Sequence, residues 1–294
     1  MSIPTHLTEL GVMSVFDTRL VIVAGKGGVG KTTVSAVLAR AACDGERRVL
    51  LVELDGKPAL AGLVPDLEVR SISAAEALKE YLHEHGFRMI ARRLASTGVI
   101  DVVGTAAPGI DDLVVLGKIK QLERSGEWDL IVVDGPAAGH AVTFLTSAAG
   151  LRDAVRSGPV RSQADEVVAM LGDPARCQVV LVTTPETTPV NELLETREVL
   201  RKRVDVRLGP VVVNQVDDGP PLPDPDTVSF GRTRTHVADT VAAAVFRRTR
   251  RGAQADELAR VREAIGCEHI VLPAIPTATL DPSDIVTLAA SVRK

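Results

Sequence analysis

One glycine-rich segment restricts this chain more than any other. Gly25-Lys26-Gly27-Gly28-Val29-Gly30-Lys31-Thr32 fits G-x-x-x-x-G-K-[ST], the spacing that folds as a phosphate-cradling loop when a strand precedes it and a helix follows. Both flanks are present. Leu20–Ala24 is an uninterrupted apolar run, and from Lys31 onward Val34, Leu38 and Ala42 recur at helical spacing, with Gly45 as the expected C-terminal glycine. Gly25 opens the loop, and glycines at 27, 28 and 30 let successive backbone N–H groups around Val29 converge on phosphate oxygens, to which a helix N-terminus adds its positive end. Lys31 is placed to reach β- and γ-phosphates and Thr32 to ligate Mg²⁺, while Thr33 contacts the α-phosphate or simply begins the helix. The cofactors implied are a nucleoside triphosphate, ATP, and Mg²⁺.

Further apolar runs follow at Val49–Leu54, Leu130–Val133, Val179–Val182, Val211–Val213 and His269–Leu272, with helical patterns between most of them. Strands alternating with helices predict right-handed crossovers, hence an α/β fold with a mostly parallel twisted sheet flanked by helices. The composition agrees: 45% of residues are hydrophobic but only 2% aromatic, so the core is built from Val, Leu, Ile and Ala, as buried parallel strands require. Residues 1–294 read as a single unit. About 75 residues separate the second and third runs, more than one crossover helix needs. They carry helical patterns at Ser73–Ala95 and Thr105–Leu122. Two more, Gly139–Val155 and Ser162–Leu171, follow the third run, so helical insertions are expected at about 60–128 and 139–175, together forming a small subdomain. Another helix is expected to start at Thr188-Pro189, with threonine as N-cap and proline at the first helical position. The segment Asp217–Pro225, with Pro220, Pro221, Pro223 and Pro225, marks a loop.

A nucleoside triphosphatase also needs carboxylates at neighbouring strand ends, one to organise Mg²⁺ and one to orient the attacking water. Asp134 ends one apolar run and is the candidate for the metal, acting through a bound water; Asp55 ends another and is the candidate for the water. A net charge of −4 gives no global positive field for nucleic acid, and the cluster Arg247, Arg248, Arg250 and Arg251 reads as a solvated helix face because no aromatics interleave. No apolar run reaches 18 residues, and Met1–Val15 lacks a basic segment followed by an apolar one; a cytoplasmic protein without an integral membrane segment is expected. Cys43, Cys177 and Cys267 lie far apart, without zinc spacing.

Lys26 makes the loop G-K-G-G-V-G-K-T-T, which resembles the deviant Walker A ATPases, where the extra lysine reaches across a dimer interface to the partner's nucleotide. Within that class the chain is similar to the ArsA and tail-anchored-protein targeting ATPases. Val49–Asp55 matches their switch I strand, Pro108-Gly109-Ile110-Asp111-Asp112 their P-G-I-D-E segment, Asp134 through His140 their switch II, and Val212-Val213-Asn214-Gln215 their V-V-N-Q. Pro185-Glu186 and Leu272-Pro273 agree in style and order. The resemblance implies a P-loop NTPase fold, ATP hydrolysis, Lys26 and Asp55 as catalytic residues, and Asn214 and Pro273 in the nucleotide site, with Asn214 reading the adenine edge. It also implies a dimeric switch, homodimeric or formed with a paralogue, that couples nucleotide state to a protein client, with any peripheral membrane link made through that client. The chain departs from the pattern after Asp55, where Gly56-Lys57-Pro58-Ala59 replaces Pro-Ala-His, and in switch II, where Pro136 comes one place early and Ala138 stands for threonine. These departures imply slow hydrolysis. A partitioning or positioning ATPase of the ParA and MinD kind is the alternative. Against it, Ile285, Leu288 and Val292 give the tail Asp281–Lys294 the inward face of an ordinary docking helix.

Overall fold

Successive residues of β1 (Leu20–Gly25) are committed to two different cores, and all six are buried. Leu20, Ile22 and Ala24 join one apolar cluster, and Val21 and Val23 the other. A strand of period two can do this only when both faces of its sheet are covered. The computed structural model describes residues 15–43, 46–54, 59–84, 109–221, 237–265 and 269–292. On one side β1 pairs with β4 (Leu130–Ala137), followed by β2 (Val49–Leu54) and β3 (Glu68–Ile72). On the other it pairs with β5 (Cys177–Thr183), followed by β7 (Val211–Val216) and β8 (His269–Pro273). A two-residue strand, β6 (Arg207–Leu208), pairs with the start of β5. The order is β3-β2-β4-β1-β5-β7-β8, and every pairing is parallel.

Helices α1 (Lys31–Ala42), α2 (Leu60–Leu63) and α9 (Pro282–Val292) cover one face. On α9, Ile285, Leu288 and Val292 point inward as their spacing predicts. The opposite face carries α3 (Ala74–Glu84), α4 (Ile110–Ser125), α5 (Ala138–Ala154), α6 (Pro159–Gly172), α7 (Thr187–Arg203) and α8 (Val237–Ile265). The helices of the two insertions do meet: α4 packs against α3, α5 and α6. They also share one apolar cluster with the sheet, and Leu113, Leu116 and Ile119 of α4 are no more than 2% exposed. Removing such a side chain from water is worth about 1.5–3 kcal/mol, so burial of these residues fastens the layer to the sheet.

Two strands escaped the sequence reading. β3 lies inside the stretch read as a helical insertion, and its composition, Glu-Val-Arg-Ser-Ile, lacks an apolar run because it is an edge strand with mostly uncovered side chains. β6 is too short for any periodicity. Helix α7 begins at Thr187 with Glu186 as its cap residue. Thr188 is therefore inside the helix and Pro189 occupies its third position, where a missing N–H still costs no intrahelical bond. The Thr187 hydroxyl donates instead to Glu257 of α8, at 2.9 Å. Gly45, Pro108, Cys267, residues 85–107 of the first insertion and residues 222–236 of the proline-rich loop and beyond lie outside the described residues.

Candidate nucleotide-binding site

The strand order reverses direction at β1, with β4 continuing one way and β5 the other. In open α/β sheets the crevice at the carboxyl ends of such strands is where ligands bind. The loop 25–30 opens there. Gly25 is packed so closely on β5 that a Cβ would run into the Val182 carbonyl oxygen. Gly27 and Gly28 form the exposed crest of the loop and Val29 is buried beneath it. Gly30 is the cap residue of α1 in the left-handed region, φ 85°, and a Cβ there would also strike the Asn214 side chain. Its carbonyl accepts the Val34 N–H at 2.9 Å, the first helical bond. From β7, the Asn214 Nδ2 donates to the Val29 carbonyl at 3.0 Å. Asn214 is thus fastened to the loop from below, which is additional to the base-reading role that the family pattern implies.

Lys31, Thr32 and Thr33 form the half-buried first turn of α1. The Lys31 Nζ donates to the Lys26 carbonyl at 3.3 Å. Burial pushes the Lys31 ammonium below its ordinary pKa, with the Asp134 charge opposing. Asp134 on β4 accepts from the Thr32 hydroxyl at 2.7 Å and from the Ser35 hydroxyl at 3.2 Å. Burial pushes its carboxyl up, against those two hydrogen bonds and the Lys31 charge. A hydroxyl and a carboxylate converging within hydrogen-bond distance, beside a half-buried lysine, are the hard oxygen donors and the positive charge that Mg²⁺ and triphosphate require. These residues fit both groups.

The remaining expected residues are distributed around this centre. Lys26 is turned to α7, its Nζ 2.5 Å from the Glu192 Oε1. Asp55 lies outside the described residues; of the residues on either side of it, Glu53 accepts the Ala59 and Leu60 N–H groups through its Oε1 at 2.9 and 2.7 Å. Pro273 ends β8 opposite Val216, three strands from β1, so the fold places it on the far flank of the crevice. His140 is exposed in the first turn of α5.

Three contributors were missed: Ser35, Glu53 and Glu192. Ser35 follows Thr32 at i+3 on one helix face and was legible in principle. Glu53 carried a signal as the lone charge in an apolar run. Glu192 and Lys26 are 166 residues apart, so no local pattern joins them. Gln215, beside Asn214, has φ 61°, a left-handed conformation unusual for a non-glycine residue, where the β7–β8 register shifts.

A left-handed glycine cap, a Lys-Thr helix start and a strand-end aspartate at the switch point of a parallel sheet define a P-loop nucleotide-binding protein. The family model described as anion-transporting ATPase matches residues 18–158. Over those residues the chain is similar to the ArsA ATPase family. It is 33% identical over 222 residues to the ATPase BagA of Mycobacterium tuberculosis, an alignment that covers 67% of this chain and 65% of that protein. It is 24% identical over 256 residues to an ATPase ASNA1 homolog of Entamoeba histolytica, covering 67% of this chain and 76% of the relative. With the arsenical pump-driving ATPase of Escherichia coli it shares 28% identity over 179 residues, covering 59% of this chain and 30% of that one. The chain therefore spans about 65% of the length of the mycobacterial relatives it matches. No described helix is long and apolar enough to cross a membrane.

Proposed function

We propose that the protein binds ATP with Mg²⁺, hydrolyses it, and uses the nucleotide state to change how two protomers and a protein partner associate. One observation carries the reading: Thr32, Lys31 and Asp134 converge at the mouth of the glycine loop, with Asp134 bonded to the Thr32 hydroxyl at 2.7 Å. In this reading loop N–H groups and Lys31 hold the β- and γ-phosphates, while Thr32 holds Mg²⁺ directly and Asp134 through a water. When bound there, Mg²⁺ would supply positive charge to the phosphate oxygens. Asp55 orients the attacking water, and Glu53 bridges the residues on either side of it. Lys26, outside this centre and at the surface, is available to a second protomer, which agrees with the family pattern of a lysine acting across a dimer. The helical layer α3–α6 offers the surface on which a protein client would sense the nucleotide state. A cytoplasmic setting suits such a switch.

Calorimetry tests the reading. Lys31→Ala should abolish tight ATP binding, Asp134→Ala should weaken binding only where Mg²⁺ contributes, and Asp55→Asn should bind ATP near normally and retain it uncleaved. Undiminished ATP affinity in Lys31→Ala would refute the phosphate-loop assignment.

A further inference from the structure

Within a single protomer the second lysine of the loop already has a counter-ion. Lys26 sits immediately before the exposed Gly27-Gly28 pair, so its backbone is the pliable part of the loop. Glu192 is on a rigid part. Its helix α7 buries Val190, Leu193 and Leu200 against the sheet and is cross-braced to α8 by Thr187 to Glu257 at 2.9 Å and Arg260 to Asn191 at 2.8 Å. The ion pair between them is at the surface, with the Lys26 side chain 34% and the Glu192 side chain 40% exposed. An anion arriving from outside competes with the Glu192 carboxylate for Lys26 without unfolding anything.

We propose that Glu192 is a positioning residue that holds Lys26 within its own protomer, so that the triphosphate of a second protomer must displace this carboxylate before the two close. The proposal rests on the reading that Lys26 acts across a dimer. Each dimer breaks two such pairs, one per protomer. Exposed ion pairs are weak, so the barrier is small and reversible, and salt screens it.

The test is the dimer dissociation constant by analytical ultracentrifugation, with Mg²⁺ and a non-hydrolysable ATP analogue, for the full chain and for Glu192→Gln, Glu192→Asp and Lys26→Ala. Glu192→Gln should dimerise at roughly 2- to 30-fold lower protein concentration, the range for losing two exposed pairs, and the gain should shrink at high salt. Glu192→Asp, which keeps the charge on a shorter arm, should fall between. Thermal unfolding of the nucleotide-free Glu192→Gln protein should be unchanged, whereas a residue that merely braced α7 would lower that midpoint and leave the dimer constant alone. An unchanged or weaker dimer in Glu192→Gln overturns the proposal while the reading of Lys26 stands. A native chain that stays monomeric with the analogue at every concentration, or dimers that persist in Lys26→Ala, overturn that reading and the proposal with it.

Discussion

The side-chain amide of Asn214 carries a consequence that differs from base recognition. Its donation to the Val29 carbonyl at 3.0 Å, directly beneath Gly30, makes it part of the phosphate loop's foundation. Asn214→Ala leaves a buried carbonyl without its donor, a loss of about 1–3 kcal/mol, and loosens the loop whatever is bound to it. The variant should therefore weaken inorganic tripolyphosphate as well as ATP, each by roughly tenfold. Titrating both ligands separates the two roles: a loss confined to ATP would mean that only a base contact had been removed. The loop itself was legible in the sequence because glycine, lysine and threonine at fixed spacing encode a local conformation and its chemistry together. How partners from distant strands meet the loop was legible only in part. The Val29 to Asn214 contact joins residues 185 positions apart, and Thr32 to Asp134 joins residues 102 apart. Of these, Asp134 was found because it ends an apolar run beside a phosphate loop, whereas nothing local marks Asn214 as a support of that loop.

At the scale of elements, two carboxylates each tie a loop to a helix. Glu53, only 5% exposed at the end of β2, holds the first N–H groups of α2. Glu53→Ala strands those donors, one of them buried, at a cost of about 1–3 kcal/mol. It also removes the bridge between the residues that flank Asp55. Denaturant unfolding should show the stability loss and steady-state assays a fall in turnover, with ATP affinity changed much less; equal losses in both would count against a role specific to that bridge. Asp217, just past β7, is bound by Arg247 of α8 through two bonds of 2.7 Å, and this hydrogen bonding holds its carboxyl down at about 2, below the ordinary 3.8. A depressed carboxyl contributes stability above the unfolded pKa and loses it as pH falls toward the folded one. Hydrogen exchange in the first turns of α8 should thus be faster in Arg247→Ala than in the native chain near neutral pH, and the difference should shrink as pH falls from about 4 through about 2. A difference as large at pH 2 as at neutral pH would exclude this ion pair as its source. Central strands announced themselves as Val, Leu and Ile runs because both their faces are buried. Edge strand β3 did not, since Glu68, Val69, Arg70 and Ser71 need not be apolar where one side of the sheet ends.

For the molecule as a whole, the sheet divides the interior into two apolar clusters, and that division bears on what the protein can sense. Metalloid capture requires thiolates that converge. Cys177 is fully buried at the start of β5 in the cluster beneath α3–α8, and burial pushes its thiol well above the ordinary pKa. Cys43 follows α1 and packs against the other cluster, under α1 and α9. The two sulfurs therefore face opposite sides of an eight-stranded sheet, and bringing them together would require dismantling it. A three-thiolate site within one chain needs both of them and is excluded by topology, even though a relative is named as an arsenical pump-driving ATPase. Phosphate release should accordingly be insensitive to arsenite and antimonite at concentrations that do not denature the chain. Replacing Cys43, Cys177 and Cys267 together with alanine should keep the basal rate within about twofold, while lowering stability by roughly 1–2 kcal/mol for the small cavity left at the buried Cys177. A several-fold stimulation by arsenite in the native chain that disappears in the triple variant would overturn this argument and make the metalloid itself the signal to which the protein responds.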